Sequence, residues 1–138
     1  MAMKNIIKTV ILFVIFTFTN TMNAQMDTLT YVKTFEINKA NYIGQPLSVL
    51  LNDMTLIQPK TIWFVPITNK KTMVKESLFK FCEVRHSYKN AITLRITWQD
   101  YIPFSQVDYY QNLNDFFFTN DERLFYGNKI IEDIMVYR

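Results

Sequence analysis

The one cysteine and the one histidine of this 138-residue chain, Cys82 and His86, stand four positions apart in "KFCEVRH", residues 80–86. A thiolate and an imidazole at that spacing could act together as nucleophile and base, provided the local structure lets them meet. On a helix, residues i and i+4 stack about 6 Å apart. Along a strand they share a face but stand roughly 13 Å apart, at about 3.3 Å per residue. The run "SLFKFCEV" is dense in β-formers, so a strand is expected over 78–84 and the dyad fails on geometry. Cys82 then packs in the sheet as a small hydrophobe, and His86 is exposed in a turn. A single cysteine forms no internal disulfide.

The other candidates for chemistry are two pairs of adjacent acids, Asp121-Glu122 and Glu132-Asp133. Neighbouring carboxylates on strands or turns point apart, so both pairs are expected on the solvated surface. A carboxylate acid/base couple drawn from distant positions, of the kind used in glycoside hydrolysis, cannot be read from spacing. The chain has no Gly-rich phosphate loop, no HExxH, no GxSxG and no paired-cysteine spacing. No catalytic residue, metal ligand or cofactor is therefore expected.

One segment rises above this background. In "WQDYIPF" and the "VDYY" that follows it, Trp98, Tyr101, Phe104, Tyr109 and Tyr110 fall within 13 residues. Aromatic residues with polar tips are favoured at recognition surfaces, which makes these five the candidate partner-binding residues. The alternative is that they cap the core.

The elements that must position these residues follow from periodicity. Ile92, Leu94, Ile96 and Trp98 alternate with polar residues, predicting a half-buried strand over 91–99. With the 78–84 strand and the polar loop "HSYKN", it forms a hairpin. "KTIWFVPIT" is a further strand, and Pro66 assigns it to an edge because it cannot donate to a ladder. Leu47, Leu50, Leu51 and Met54 form a helical stripe, with Pro46 suited to the first turn. Ser105 and Asp108 fit a capping box ahead of a second helix over 106–117, with Val107, Tyr110, Leu113 and Phe117 on one face. "YVKTFEIN" reads as a short strand through Tyr31, Lys33 and Phe35, after a loose leader at 25–30. "RLFYGNKIIEDIMVY" reads as two strands around a Gly127-Asn128 turn, although Ile130, Ile131, Ile134 and Met135 also match a helix. The expected fold class is α+β: an antiparallel sheet of four to five strands, with a meander over 60–99, and two helices packed on one face.

Residues 1–24 have the layout of a secretory signal peptide: Lys4 and Lys8, an apolar run from Val10 to Phe18, polar residues and Ala24. The run is about half the roughly 20 residues a membrane-spanning helix needs. Cleavage after Ala24 would leave residues 25–138 as one domain. Loss of the two lysines lowers the formal charge from +3 to +1. The pI of 8.9 is then no sign of nucleic-acid binding, which needs clustered Lys and Arg on one face. Lys70-Lys71 and the stretch from Arg85 to Lys89 are expected in solvated turns.

The "NAQ" end of the leader and the segment "IGQPLSVLLNDM" resemble short uncharacterised exported proteins of the Bacteroidota, which combine such a signal with an "IGxPLSxLLxD"-like helix. The resemblance covers the leader and about a dozen residues after it. It implies a Gram-negative envelope, hence a periplasmic or secreted location, and a small mixed domain without a cofactor; from the short apolar run itself, no stable membrane insertion is expected once the leader is removed. Three function classes follow. The first is a non-enzymatic binding module with an envelope protein partner, favoured by small size and aromatic surplus. The others are a small carboxylate-dependent hydrolase and a structural subunit that makes contact through the Pro66 edge.

Overall fold

The structure is a computed structural model and describes residues 27–138. The expected signal peptide, residues 1–24, lies outside the described residues. The described chain is α+β: four helices and a four-stranded antiparallel sheet with the strands in sequence order.

The first helix, α1 (Thr28–Ile37), replaces the strand expected at Tyr31–Phe35. Its inward positions are Leu29, Val32 and Phe35, three apart, which is the spacing of one helical face. The apparent alternation of Tyr31, Lys33 and Phe35 was incidental to that stripe. The second helix, α2 (Leu47–Asp53), follows the expected pattern: Leu47, Leu50, Leu51 and Met54 are all buried. Pro46 sits at its N-cap, just ahead of the first turn.

The meander comprises β1 (Thr61–Ile67), β2 (Lys70–Lys80) and β3 (Thr93–Pro103). The Lys70-Lys71 pair opens β2 rather than occupying the turn before it. β2 ends at Lys80 rather than near 84, so the expected five-residue hairpin loop is a longer connection carrying a 3-10 turn at Val84–His86. Two side-chain contacts close it: the Ser87 hydroxyl donates to the Val84 carbonyl at 2.6 Å, and Lys80 Nζ donates to the Ser87 carbonyl. In β3 the alternation held, with Leu94, Ile96 and Trp98 buried.

Helix α3 (Phe104–Leu113) begins directly after Pro103, so Ser105 lies inside its first turn and the expected capping box does not form. The helix stops four residues short of 117, where Asp115 and Phe116 take left-handed backbone conformations. Of the expected face only Val107 is fully buried, while Leu113 and Phe117 are exposed. The next helix, α4 (Asn120–Gly127), stands where a strand was expected. Its capping box uses Thr119 and Glu122, an S/T-x-x-E signature. The last strand, β4 (Ile131–Tyr137), confirms the strand reading of that segment. Buried residues from all four helices and from the strands form one core.

Both sheet edges are occupied over part of their length. Residues 116–118 run along β1, where the Ile62 N–H donates to the Phe116 carbonyl and the Phe118 N–H to the Lys60 carbonyl. Pro66 breaks the β1–β2 register further along. On β4, the Gly44 N–H donates to the Ile131 carbonyl, the Ile131 N–H to the Gln45 carbonyl, and the Leu47 N–H reaches the Lys129 carbonyl. The stretch of β1 that carries Pro66 lies beyond the residues paired in this way.

Two carboxylates reinforce β4. Glu36 accepts from the Val136 N–H at 3.2 Å and from Lys33, and Asp133 accepts from Lys39 at 2.6 Å. Partial burial pushes the Glu36 carboxyl up, but Lys33 and the Val136 N–H outweigh it and the net shift is downward. Lys39 holds Asp133 below its ordinary value against a smaller opposing effect of burial. Both ionised forms are therefore favoured by folding. Their contribution is present at neutral pH and is lost as the pH falls from about 4 through the depressed folded values. Solvent screening keeps each contribution to about 1 kcal/mol or less. Urea midpoints measured at pH 7 and pH 3 should fall further in the parent than in Glu36→Gln. Equal losses would refute the assignment.

Candidate functional site

β3 leaves regular pairing near its end. Thr97 stands opposite Glu76 and Ile102 opposite Val74, so residues 98–101 face the single β2 residue Lys75. Such a bulge re-aims side chains that the alternation would otherwise place. Trp98 stays inward, and Gln99, Asp100 and Tyr101 are all exposed. The bulge is tied on both sides: the Gln99 N–H donates to the Ile130 carbonyl at 2.9 Å, and Lys75 Nζ donates to the Gln99 carbonyl at 2.9 Å. Lys75 also pairs with Glu132 at 2.8 Å.

Tyr101 is thereby held half out of the sheet, with 50% of its surface exposed. Lys70 and Lys75 lie 5.0 and 5.2 Å from its ring centre, close enough for cation–π attraction. Beside it opens a cleft of about 180 Å³. Trp98, Tyr101 and Ile102 line one part of it, and Asn128, Lys129 and Ile130, from the turn between α4 and β4, line another. Asp100 also borders the cleft. Lys129 Nζ lies 4.4 Å from the Phe125 ring centre, and burial pushes its ammonium below the ordinary lysine value.

The five candidate aromatic residues do not form one patch. Trp98 is 1% exposed, stacked on Tyr126 at 5.7 Å, and donates its indole N–H to the Ser77 hydroxyl at 2.9 Å. Burial also raises the Tyr126 phenol well above its usual range. Phe104 packs on Phe64 at 5.2 Å, and Tyr110 packs on Phe125 at 4.6 Å. These three rings belong to the packing. Tyr109 is 60% exposed and touches Tyr110, and among the described residues no ring contact joins it to Tyr101.

The Cys/His pair lies elsewhere. Cys82 sits in a bend past the end of β2 and is half-buried, so its expected place inside the sheet is corrected. His86 is exposed in the 3-10 turn, as expected. Both line an open cleft of about 270 Å³ that Thr28 and Arg138 also border, and no hydrogen bond joins thiol to imidazole.

Of the acid pairs, Asp121 is exposed, Glu132 pairs with Lys75, and Asp133 pairs with Lys39. Glu122 departs from the solvated expectation: it is 1% exposed and accepts hydrogen bonds from Thr119 and Asn114. The turn of a helix, not of a strand, carries it inward. Among the described residues no three His, Cys, Asp or Glu side chains come together as a metal site, and no helix is long and apolar enough to cross a membrane.

The Tyr101 cleft offers hydrogen-bonding groups of both charges beside an aromatic wall, which is equipment for recognition. Half of it was visible in the "WQDY" segment. The other half, Asn128 to Ile130, was hidden by reading Gly127-Asn128 as a hairpin turn; the Thr119-x-x-Glu122 box was the signal for the helix that brings those residues there. Compared with known protein families, curated proteins and solved structures, the chain matches none.

Proposed function

We propose that the protein is an exported, non-enzymatic binding module of the bacterial envelope, and that it recognises its partner with the Tyr101 side of the β3 bulge. The observation that carries this reading is the bulge itself, which holds a large ring half out of the sheet between two lysines at the mouth of a cleft. A ring fixed by its surroundings loses little entropy on binding, so it can anchor a partner strongly. The leader-like residues 1–24 and the likeness of "IGQPLSVLLNDM" to exported proteins support the envelope location.

Tyr101→Ala is the test. The residue is half exposed, so the variant should keep its stability to within about 1 kcal/mol while losing about 2 kcal/mol or more of partner affinity. Thermal melts and affinity capture from the native envelope extract read the two quantities. Tyr109→Ala, an exposed ring outside the cleft, should capture the same partner as the parent. A folded Tyr101→Ala protein that captures what the parent captures would end this reading.

A further inference from the structure

The cleft beside Tyr101 carries one charge of each sign, and neither is paired within the described protein. Lys129 Nζ is partly buried, with the Phe125 ring beneath it and no hydrogen-bond acceptor or carboxylate partner among the described residues. Asp100 lines the same cleft and likewise has no partner, so the two do not satisfy each other. Of the two lysines beside the Tyr101 ring, Lys75 is engaged by Glu132 and the Gln99 carbonyl, and Lys70 makes no ion pair with Asp100 and does not line the cleft. The rest of the lining is Ile102, Ile130 and Trp98, with Asn128 and Tyr101.

A simple anion entering this cleft would gain Lys129 but meet Asp100, and a simple cation would gain Asp100 but meet Lys129. A ligand with both charges gains at both ends. The volume, about 180 Å³, is below the roughly 300 Å³ at which drug-sized ligand pockets begin, so the bound group is about the size of one or two small residues. Resting on the reading of this cleft as the binding site, we propose that it takes a small zwitterion, an amino acid or short peptide, with its free carboxylate on Lys129 and its free amine on Asp100. The apolar lining receives the ligand's side chain. The burial that pushes the Lys129 ammonium down also strips it of water, which strengthens a pair made there relative to one on the open surface.

Calorimetric titration of the purified protein with alanyl-alanine, its N-acetyl form and its C-terminal amide tests the proposal. The parent should bind alanyl-alanine saturably, and each cap should weaken binding by about tenfold or more, the loss of one charge-assisted hydrogen bond. Lys129→Met should erase the preference for acid over amide and keep that for amine over acetyl; Asp100→Asn should do the reverse. Because the caps are placed on the ligand, the parent protein alone already decides the question if either variant folds poorly. Equal binding of capped and uncapped dipeptides would overturn the proposal. So would no saturable binding of alanyl-alanine. If that second result comes with a captured partner still lost on Tyr101→Ala, the ligand class falls and the binding surface stands.

Discussion

Trp98→Ala is expected to lower the free energy of unfolding by about 3 to 5 kcal/mol, the range for removing a fully buried large ring. Trp98 is 1% exposed and stands between Tyr126, stacked at 5.7 Å, and Phe79, edge-on at 6.3 Å. Removing it opens a cavity among rings that are themselves held by the sheet and by α4, so collapse is limited. It also takes away the indole N–H that the fully buried Ser77 hydroxyl accepts. Trp98→Phe should cost less, because it keeps most of the volume and loses chiefly the hydrogen bond. Urea denaturation with matched m-values measures both. A loss under about 1 kcal/mol for the alanine variant would mean that the ring is not a core element.

Glu122→Ala should cost about 2 to 4 kcal/mol, more than an ordinary surface cap. One carboxylate oxygen accepts from the Thr119 N–H at 2.9 Å and from the Thr119 hydroxyl, and the other accepts from the Asn114 side-chain amide at 2.8 Å. Asn114 ends α3 and Thr119 begins α4, so this carboxylate fixes the turn between two helices. A helix N-cap contributes about 1 kcal/mol, and each hydrogen bond to a charged group about 1.5 to 3 kcal/mol. The alanine variant leaves several donors unpaired at a buried site. Glu122→Gln keeps the shape and an acceptor oxygen, and should retain about half of the loss. If the two variants melt together with the parent, the box contributes nothing and the α3–α4 turn is held by packing alone.

What was legible in the sequence follows from how one-sided each element's burial is. The 91–99 alternation and the Leu47, Leu50, Leu51, Met54 stripe were readable because each element presents a single face to the core, which imprints its period on the residues. α1 was not, since its three inward residues stand among the β-favouring Thr28, Thr30, Tyr31 and Thr34, and its docking on β4 involves residues a hundred positions away, as in the Glu36–Val136 contact. Distant contacts of that kind override local propensity. α4 was misread because Gly127-Asn128 is both a hairpin signal and a helix end, and only the Thr119-Glu122 box separates the two. For the site, exposure at Tyr101 was anticipated, but the reason for it, a three-residue excess in β3, depends on register with β2. Register is a property of two strands and is absent from either one alone.

The first helix and the last strand meet at one corner of the fold: Thr28 and Arg138 border the same cleft, and Glu36 reaches across to Val136. The start of α1 and the end of β4 therefore lie close together. Were the residues ahead of α1 removed, ends lying together in this way would make the fold a candidate for circular permutation. A short polar linker from Arg138 to the start of α1 would leave the strand order and the core contacts as they are, and new ends could be opened at the exposed Thr68-Asn69 turn between β1 and β2. In such a rearranged chain α1 would follow β4 directly, converting the hundred-residue separation of Glu36 and Val136 into a local hairpin-like closure with a smaller loop entropy.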